Sequence, residues 1–332
     1  MKIALLGSKD FDSLEYHLND SLKVLGHEVF HIDISDIINI PFGYNYWARK
    51  LFPTYDKILF DKILKKIKDF DPDLFIGTYR FIHPDLVKTL KREKPSLITV
   101  QINPDQLTTL EHQQIFASDY NFYFTKDRFM LDFMKNKMNL NAFYLPEAFN
   151  PRVHKPVQED RRILEERTGI DVVAFGTMYP YRAKLISELI KSGVNMTLFG
   201  VPDKRFPRPE ISTNFRNEYI TGSRKAEILT GSKIVLNNFH FAEIESANVK
   251  FFEIGGIGAF QICDYKSVLQ DLTPIPINKI TYKSFQEAAD LIKFYLNEDQ
   301  LRYDLAEQQR LYFLDHHTYE IRMTEMFKII FQ

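Results

Sequence analysis

A single cysteine, Cys263, stands in the 332-residue chain, so no intramolecular disulfide can form and a reducing compartment suits the protein. It sits in the apolar run AFQIC, where a buried, inert thiol is expected rather than a nucleophile. Charge of one sign is also lacking: 43 Lys and Arg against 44 Asp and Glu leave a formal net charge of -1. No bulk field draws nucleic acid, so phosphate recognition must be local. No apolar run approaches the roughly 18 residues of a membrane span, and MKIALLG is too short for a signal peptide. A cytoplasmic protein is therefore expected. The first strand is not followed by G-x-G-x-x-G, which removes the dinucleotide fingerprint. The C-terminal half has no D-x-D, and His316 and His317 are adjacent residues whose side chains point apart, so no metal is expected.

What is present is alternation. KIALLG (2–7), a helical pattern at 13–25, HEVFHIDI (27–34), a helix at 56–69, DLFIGTY (73–79), a helix from Pro84, SLITVQI (96–102), NFYFTK (121–126), a helix near 128–137 and AFYLPEAF (142–149) form a first half. VVAFGT (172–177), a helix at 182–191, NMTLFG (195–200), a helix near 224–231, KIVLNN (233–238), AFQICD and two further helices, the first opened by the Ser284/Glu287 capping box, form a second. Strands alternating with helices predict an α/β protein of two Rossmann-like βαβ domains, with ligands at the C-terminal strand ends facing a cleft. The proline-bearing run NPRVHKPVQE predicts a linker, drawn at 151–171, between an N-terminal domain (1–150) and a C-terminal one (172–316), with 317–332 as a last helix. Residues 37–55 break the pattern with two prolines and many aromatic residues, including the lone Trp47. A lid, an acceptor platform, a membrane-surface contact or packing back onto the sheet all fit them.

The stretch ESANVKFFEIGGIGAFQICD, 245–264, concentrates chemistry. A helix over about 248–257 carries Lys250 and Glu253 three apart on one face, and its start is a ready anion site. Lysine and helix amides suit phosphate oxygens, and an ionised glutamate suits ribose hydroxyls, which points to a nucleotide diphosphate. Gly255, Gly256 and Gly258 each weaken a helix by roughly 1 kcal/mol, which makes sense where backbones approach something closely. After VVAFGT, the Gly176–Thr177 turn and Arg182 offer a second place for a diphosphate.

These residues also carry a resemblance. Glu245, seven residues, then Glu253 resembles the E-x7-E element of many GT-B glycosyltransferases, and NVKFFEIGGIGAFQICD resembles the R/K-x-F-E-x-x-x-x-G signature of CgeB-like glycosyltransferases. AFGTMYPYRAKLI, 174–186, is similar to the opening of that family's second domain, and His317, Thr318, Tyr319 and Arg322 match its closing H-T-Y-x-x-R. The resemblance implies a GT-B fold whose last helix crosses back to the first domain. It implies transfer of a sugar from a nucleotide diphosphate sugar to a saccharide, lipid-linked or protein acceptor. The donor would sit on the C-terminal domain, with Gly176, Thr177, Arg182, Lys250, Gly255 and Gly256 near it, Lys250 and Arg182 on the phosphates, Glu253 on the ribose and Glu245 facing the sugar.

For a general base the N-terminal half offers His83 and Asp105 at its strand ends, each of which also reads as a helix-start or turn residue. Asp105 lies where CgeB-like chains often carry an acidic residue, but NPDQ departs from their commoner D-x-P order. A nucleotide-sugar epimerase and a non-catalytic nucleotide- or sugar-binding protein are the alternatives. Cationic side chains and helix amides would replace a metal in stabilising the leaving diphosphate, so no cofactor is expected.

Overall fold

The computed structural model describes residues 1–38, 40–104 and 114–332. The chain divides into two units, 1–146 with 319–332, and 147–318. In the first, the strands β1 (Lys2–Leu6), β2 (Glu28–Ile32), β3 (Leu74–Gly77), β4 (Ile98–Asn103), β5 (Phe122–Thr125) and β6 (Ala142–Tyr144) pair in parallel in the order β2-β1-β3-β4-β5-β6. Ile3 to Leu6 and Leu74 to Ile76 are buried, as expected of a parallel sheet covered on both faces. The helices α1 (Leu14–Val24), α2 (Phe42–Leu51), α3 (Pro53–Phe70), α4 (Pro84–Glu93), α5 (Gln114–Ala117) and α6 (Arg128–Asn136) connect them. The last helix, Tyr319–Ile330, lies on α1: the Tyr319 and His17 rings stack at 5.3 Å, and Ser21 Oγ donates to Glu320 at 3.0 Å.

Residues 37–55 are mostly helical, since Pro41 occupies an N-cap and Pro53 a first-turn position, where proline interrupts no hydrogen bond. Arg49 folds inward, donating to Asp56 at 2.6 Å and to the Phe81 carbonyl at 3.0 Å while lying over the Phe81 ring. Tyr44, Trp47, Leu51 and Phe52 stay exposed.

The second unit holds β7 (Ile170–Phe175), β8 (Met196–Phe199), β9 (Ser232–Asn237), β10 (Gln261–Asp264) and β11 (Thr281–Tyr282), parallel in the order β11-β10-β9-β7-β8. Its helices are α7 (Arg161–Thr168), α8 (Pro180–Lys191), α9 (Gly222–Thr230), α10 (Val249–Ile257), α11 (Phe285–Tyr295) and α12 (Asp299–His316). The expected linker at 151–171 contains α7, capped by the Asp160 carboxylate at its start and by Gly169 in the left-handed region at its end. Glu165 of α7 accepts from Arg302 of α12 at 2.9 Å, both side chains being buried. This segment is therefore part of the second unit's packing, and its prolines only precede the helix. Cys263 is fully buried and burial pushes its thiol up, as expected of an inert thiol. His317 packs against Phe252 and Phe313, and the His316 ring stacks on Tyr312.

Candidate functional site

Strand register builds the site. Phe175 of β7 pairs with Phe199 of β8, so Gly176 and Gly200 follow side by side. Both have positive φ, 97° and 111°, and a Cβ on Gly200 would meet the Gly176 carbonyl oxygen at 2.5 Å. Only glycine fits such a pair of turns. A Cβ on Gly176 would lie 2.3 Å from Lys250 Nζ and 3.8 Å from Arg182 Nη1, so the two cations converge on this turn.

Arg182, near the start of α8, is buried and donates to the Thr177 carbonyl at 2.6 Å and to the Asn238 carbonyl at 2.8 Å. Burial lowers its pKa from the usual arginine range. Lys250 enters from the first turn of α10, where Asn248 caps the helix by accepting from Phe251 N–H at 2.9 Å. Asn248 is in turn held by Asn237, whose amide also donates to Gln261. Lys250 Nζ donates to the Phe175 carbonyl at 2.6 Å and lies over the Phe175 ring. Burial, and then the neighbouring Arg182 guanidinium, push its pKa down to about 7 against the opposing pull of Glu253. The turn thus holds two cations whose charges oppose each other, beside the uncapped start of α8. An anion placed there relieves both the repulsion and the desolvation.

Glu253 is only 5 % exposed. Its carboxylate accepts from Lys225 Nζ at 3.2 Å and lies 3.4 Å from His154 Nε2, so it belongs to a buried cluster. Sequence reading missed Lys225 and His154, which lie 28 and 99 residues away and follow no spacing rule. Glu245 sits in the loop between β9 and α10 and accepts from Ser267 Oγ at 3.2 Å. Gly255 and Gly256 correct an expectation. A Cβ on Gly255 would strike the Phe313 ring at 2.5 Å and one on Gly256 the Phe149 ring at 2.3 Å. They let α10 pack closely on α12 and Phe149, and they approach protein rather than donor.

In the first unit, His83 caps α4 by accepting from Asp85 N–H at 3.2 Å, which is a helix-start role. Asp105 lies outside the described residues. Sequence reading missed Glu15, in the first turn of α1. Thr78 Oγ1 donates to it at 2.6 Å, and burial raises its pKa from the usual carboxylate range. No helix among the described residues is long and apolar enough to cross a membrane.

Residues 167–328 match a family model described as glycosyl transferase-like. The chain carries a glycosyltransferase domain. This match bears out the transferase reading, and the matched region contains Gly176, Arg182, Gly200, Lys225, Glu245, Lys250 and Glu253. No curated protein matches the sequence. Among solved structures, sucrose-phosphate synthase from Thermosynechococcus elongatus is similar over 99% of both chains, with a TM-score of 0.73 at 11% identity. Anabaena HepE in complex with UDP-glucose is similar over 99% of both, with a TM-score of 0.67 at 12% identity. T4 phage BGT in complex with its UDP-glucose substrate is similar over 99% of this chain and 98% of that one, with a TM-score of 0.58 at 12% identity. The fold of the glycosyltransferase is GT-B, as expected.

Proposed function

We propose that this glycosyltransferase moves a sugar from a nucleotide diphosphate sugar to a saccharide, lipid-linked or protein acceptor, and that it is of the CgeB-like kind. The observation that carries the donor assignment is the convergence of Lys250 and Arg182 on the Gly176 turn, two buried or half-buried cations that oppose each other until an anion arrives. In this reading the diphosphate takes that place and Glu253, held by Lys225, accepts from the ribose, since a carboxylate offers about four acceptor positions. Glu245 faces the transferred sugar. The second unit serves the donor and the first the acceptor. UDP-glucose in the similar HepE and BGT structures supports a uridine nucleotide as the first donor to try.

Transfer without a metal remains part of the proposal, with Lys250, Arg182 and the α8 start stabilising the leaving diphosphate. Activity that vanished in EDTA and returned with manganese would overturn it. We place the protein in the cytoplasm, with the exposed Tyr44, Trp47, Leu51 and Phe52 of 37–55 as its membrane contact.

Thermal unfolding against a panel of nucleoside diphosphates and nucleotide sugars tests the donor assignment. A ligand at about 100 times its Kd stabilises by roughly 2.7 kcal/mol. A selective shift that is lost in Lys250→Ala supports the assignment. No shift from any nucleotide refutes it.

A further inference from the structure

The same parallel register that builds the Gly176 turn sets a second row of polar groups at the sheet's other side. Asp264 pairs with Tyr282 across β10 and β11, and Asn238, directly after β9, donates from its amide to both Asp264 oxygens at 3.0 and 2.8 Å. Phe239 N–H donates to the same carboxylate at 2.6 Å. Over this row opens a cavity of about 530 Å³, inside the range of about 300–1,000 Å³ usual for small-molecule sites.

The wall of the cavity is aromatic: Tyr181, Phe241, Tyr265 and Phe285 join Tyr282. Phe241 and Tyr181 are exposed, so the mouth is open at an aromatic rim. Lys283 Nζ lies 4.3 Å from the centroid of the Tyr265 ring, and Lys266 donates to the Glu243 carbonyl. Tyr282 is 3 % exposed, and its hydroxyl lies beside Asp264 and Asn238 at the floor of the row.

Neither Lys250 nor Glu245 lines this cavity. Asn238 links it to the turn, since its carbonyl accepts from Arg182 while its side chain holds Asp264. We propose that the cavity is a second binding site, for a neutral saccharide ring. The apolar faces of a pyranose lie on tyrosine and phenylalanine rings, its hydroxyls donate to Asp264 and pair with Tyr282, and Lys283 donates to ring oxygens at the rim. The Asp264 carboxylate opposes an anion, which separates this site from the phosphate-seeking turn. The inference goes beyond the donor reading and stands without it.

Saturation-transfer NMR on the full chain tests it, with methyl α-glucopyranoside, methyl α-galactopyranoside, N-acetylglucosamine and maltotriose as probes. At least one probe should bind, and Tyr265→Ala, Tyr282→Phe and the fold-neutral rim variant Phe241→Ala should each weaken it by about tenfold or more, while Lys250→Ala leaves it unchanged. The proposal is overturned if no probe receives saturation, if a probe binds the wild type and all three pocket variants alike, if Lys250→Ala alone abolishes binding, or if uridine or adenosine occupies the cavity in place of the saccharides. Thermal shifts with nucleotide sugars on the same samples keep the two readings apart. A nucleotide response that survives Tyr265→Ala without saccharide binding removes the cavity site only, and saccharide binding without any nucleotide response removes the donor site only.

Discussion

Lys250 makes the affinity for the donor depend on pH in a calculable way. In the unliganded protein its pKa is about 7, pushed down by burial and by Arg182, with Lys225 adding to the effect and Glu253 and Glu243 opposing it. A diphosphate on the Gly176 turn restores a favourable partner for the ammonium and raises that pKa. Below pH 7 the free protein already carries the charge, so affinity is flat. Above it, binding must take up a proton, and affinity falls about tenfold per unit, or about 1.4 kcal/mol. Between pH 6 and 8.5 the loss is about 30-fold, near 2 kcal/mol. A nucleotide sugar is the right ligand because its diphosphate diester does not titrate in this window. Calorimetric titration at pH 6, 7, 8 and 8.5, in buffers of differing ionisation enthalpy, reads both the affinity and the proton uptake. Lys250→Met should bind weakly at every pH, with a flat profile. Equal wild-type affinity at pH 6 and 8.5, with no proton uptake, would refute the reasoning. The same group acts on stability. Its folded pKa lies below the unfolded 10.5, so the unfolded chain binds more protons between about pH 7 and 10.5 and Lys250's contribution to stability rises with pH there. Lys250→Met should accordingly be more stable than the wild type at pH 6, by urea midpoint, with the gap closing toward pH 10.

Two glycine substitutions separate a ligand turn from a packing surface. Gly176→Ala forces a left-handed alanine onto Lys250 Nζ, which should cost about 1–2 kcal/mol in stability and abolish the nucleotide-dependent thermal shift. Gly256→Ala meets the Phe149 ring instead, so urea unfolding should show an overpacking loss of about 1–3 kcal/mol while the nucleotide shift survives. Glu165→Ala leaves Arg302, which is 0 % exposed, without its buried carboxylate, and the unfolding free energy from urea titration should fall by about 3–5 kcal/mol. A smaller loss than 1 kcal/mol there would mean that Asp299 alone suffices for Arg302. Vesicle co-sedimentation with anionic lipids should be lost in Trp47→Ser with Leu51→Ser, and equal binding by the double variant would remove the proposed membrane contact.

Much of the architecture was legible in the sequence because its signals are local. KIALLG, DLFIGTY, VVAFGT and KIVLNN are apolar runs of strand length, and Ser284 with Glu287 or Asn248 before Val249 announce helix starts within one turn of chain. Gly176 and Arg182 lie close together for the same reason, since a strand end and the following helix fix the distance between them. The segments read wrongly were those where proline stood for two things. Pro41 and Pro53 open helices and Asp160, past the last proline of its run, caps another, whereas composition alone suggested loop and linker.

Tertiary structure decided what each local feature faces. The glycines of α10 do permit a close approach, as the sequence implied, but the partners are Phe149 and Phe313, more than fifty residues from them on either side. Lys250 and Glu253 share a helix turn, yet one turns to the end of β7 and the other to Lys225 and His154. The neighbours Gly176 with Gly200, and Asn238 with Asp264 and Tyr282, arise from strand register. Periodicity determines that a strand exists and which residues it buries. Register depends on pairing with strands distant in sequence, so the chemistry gathered at the strand ends becomes readable only when the sheet is assembled.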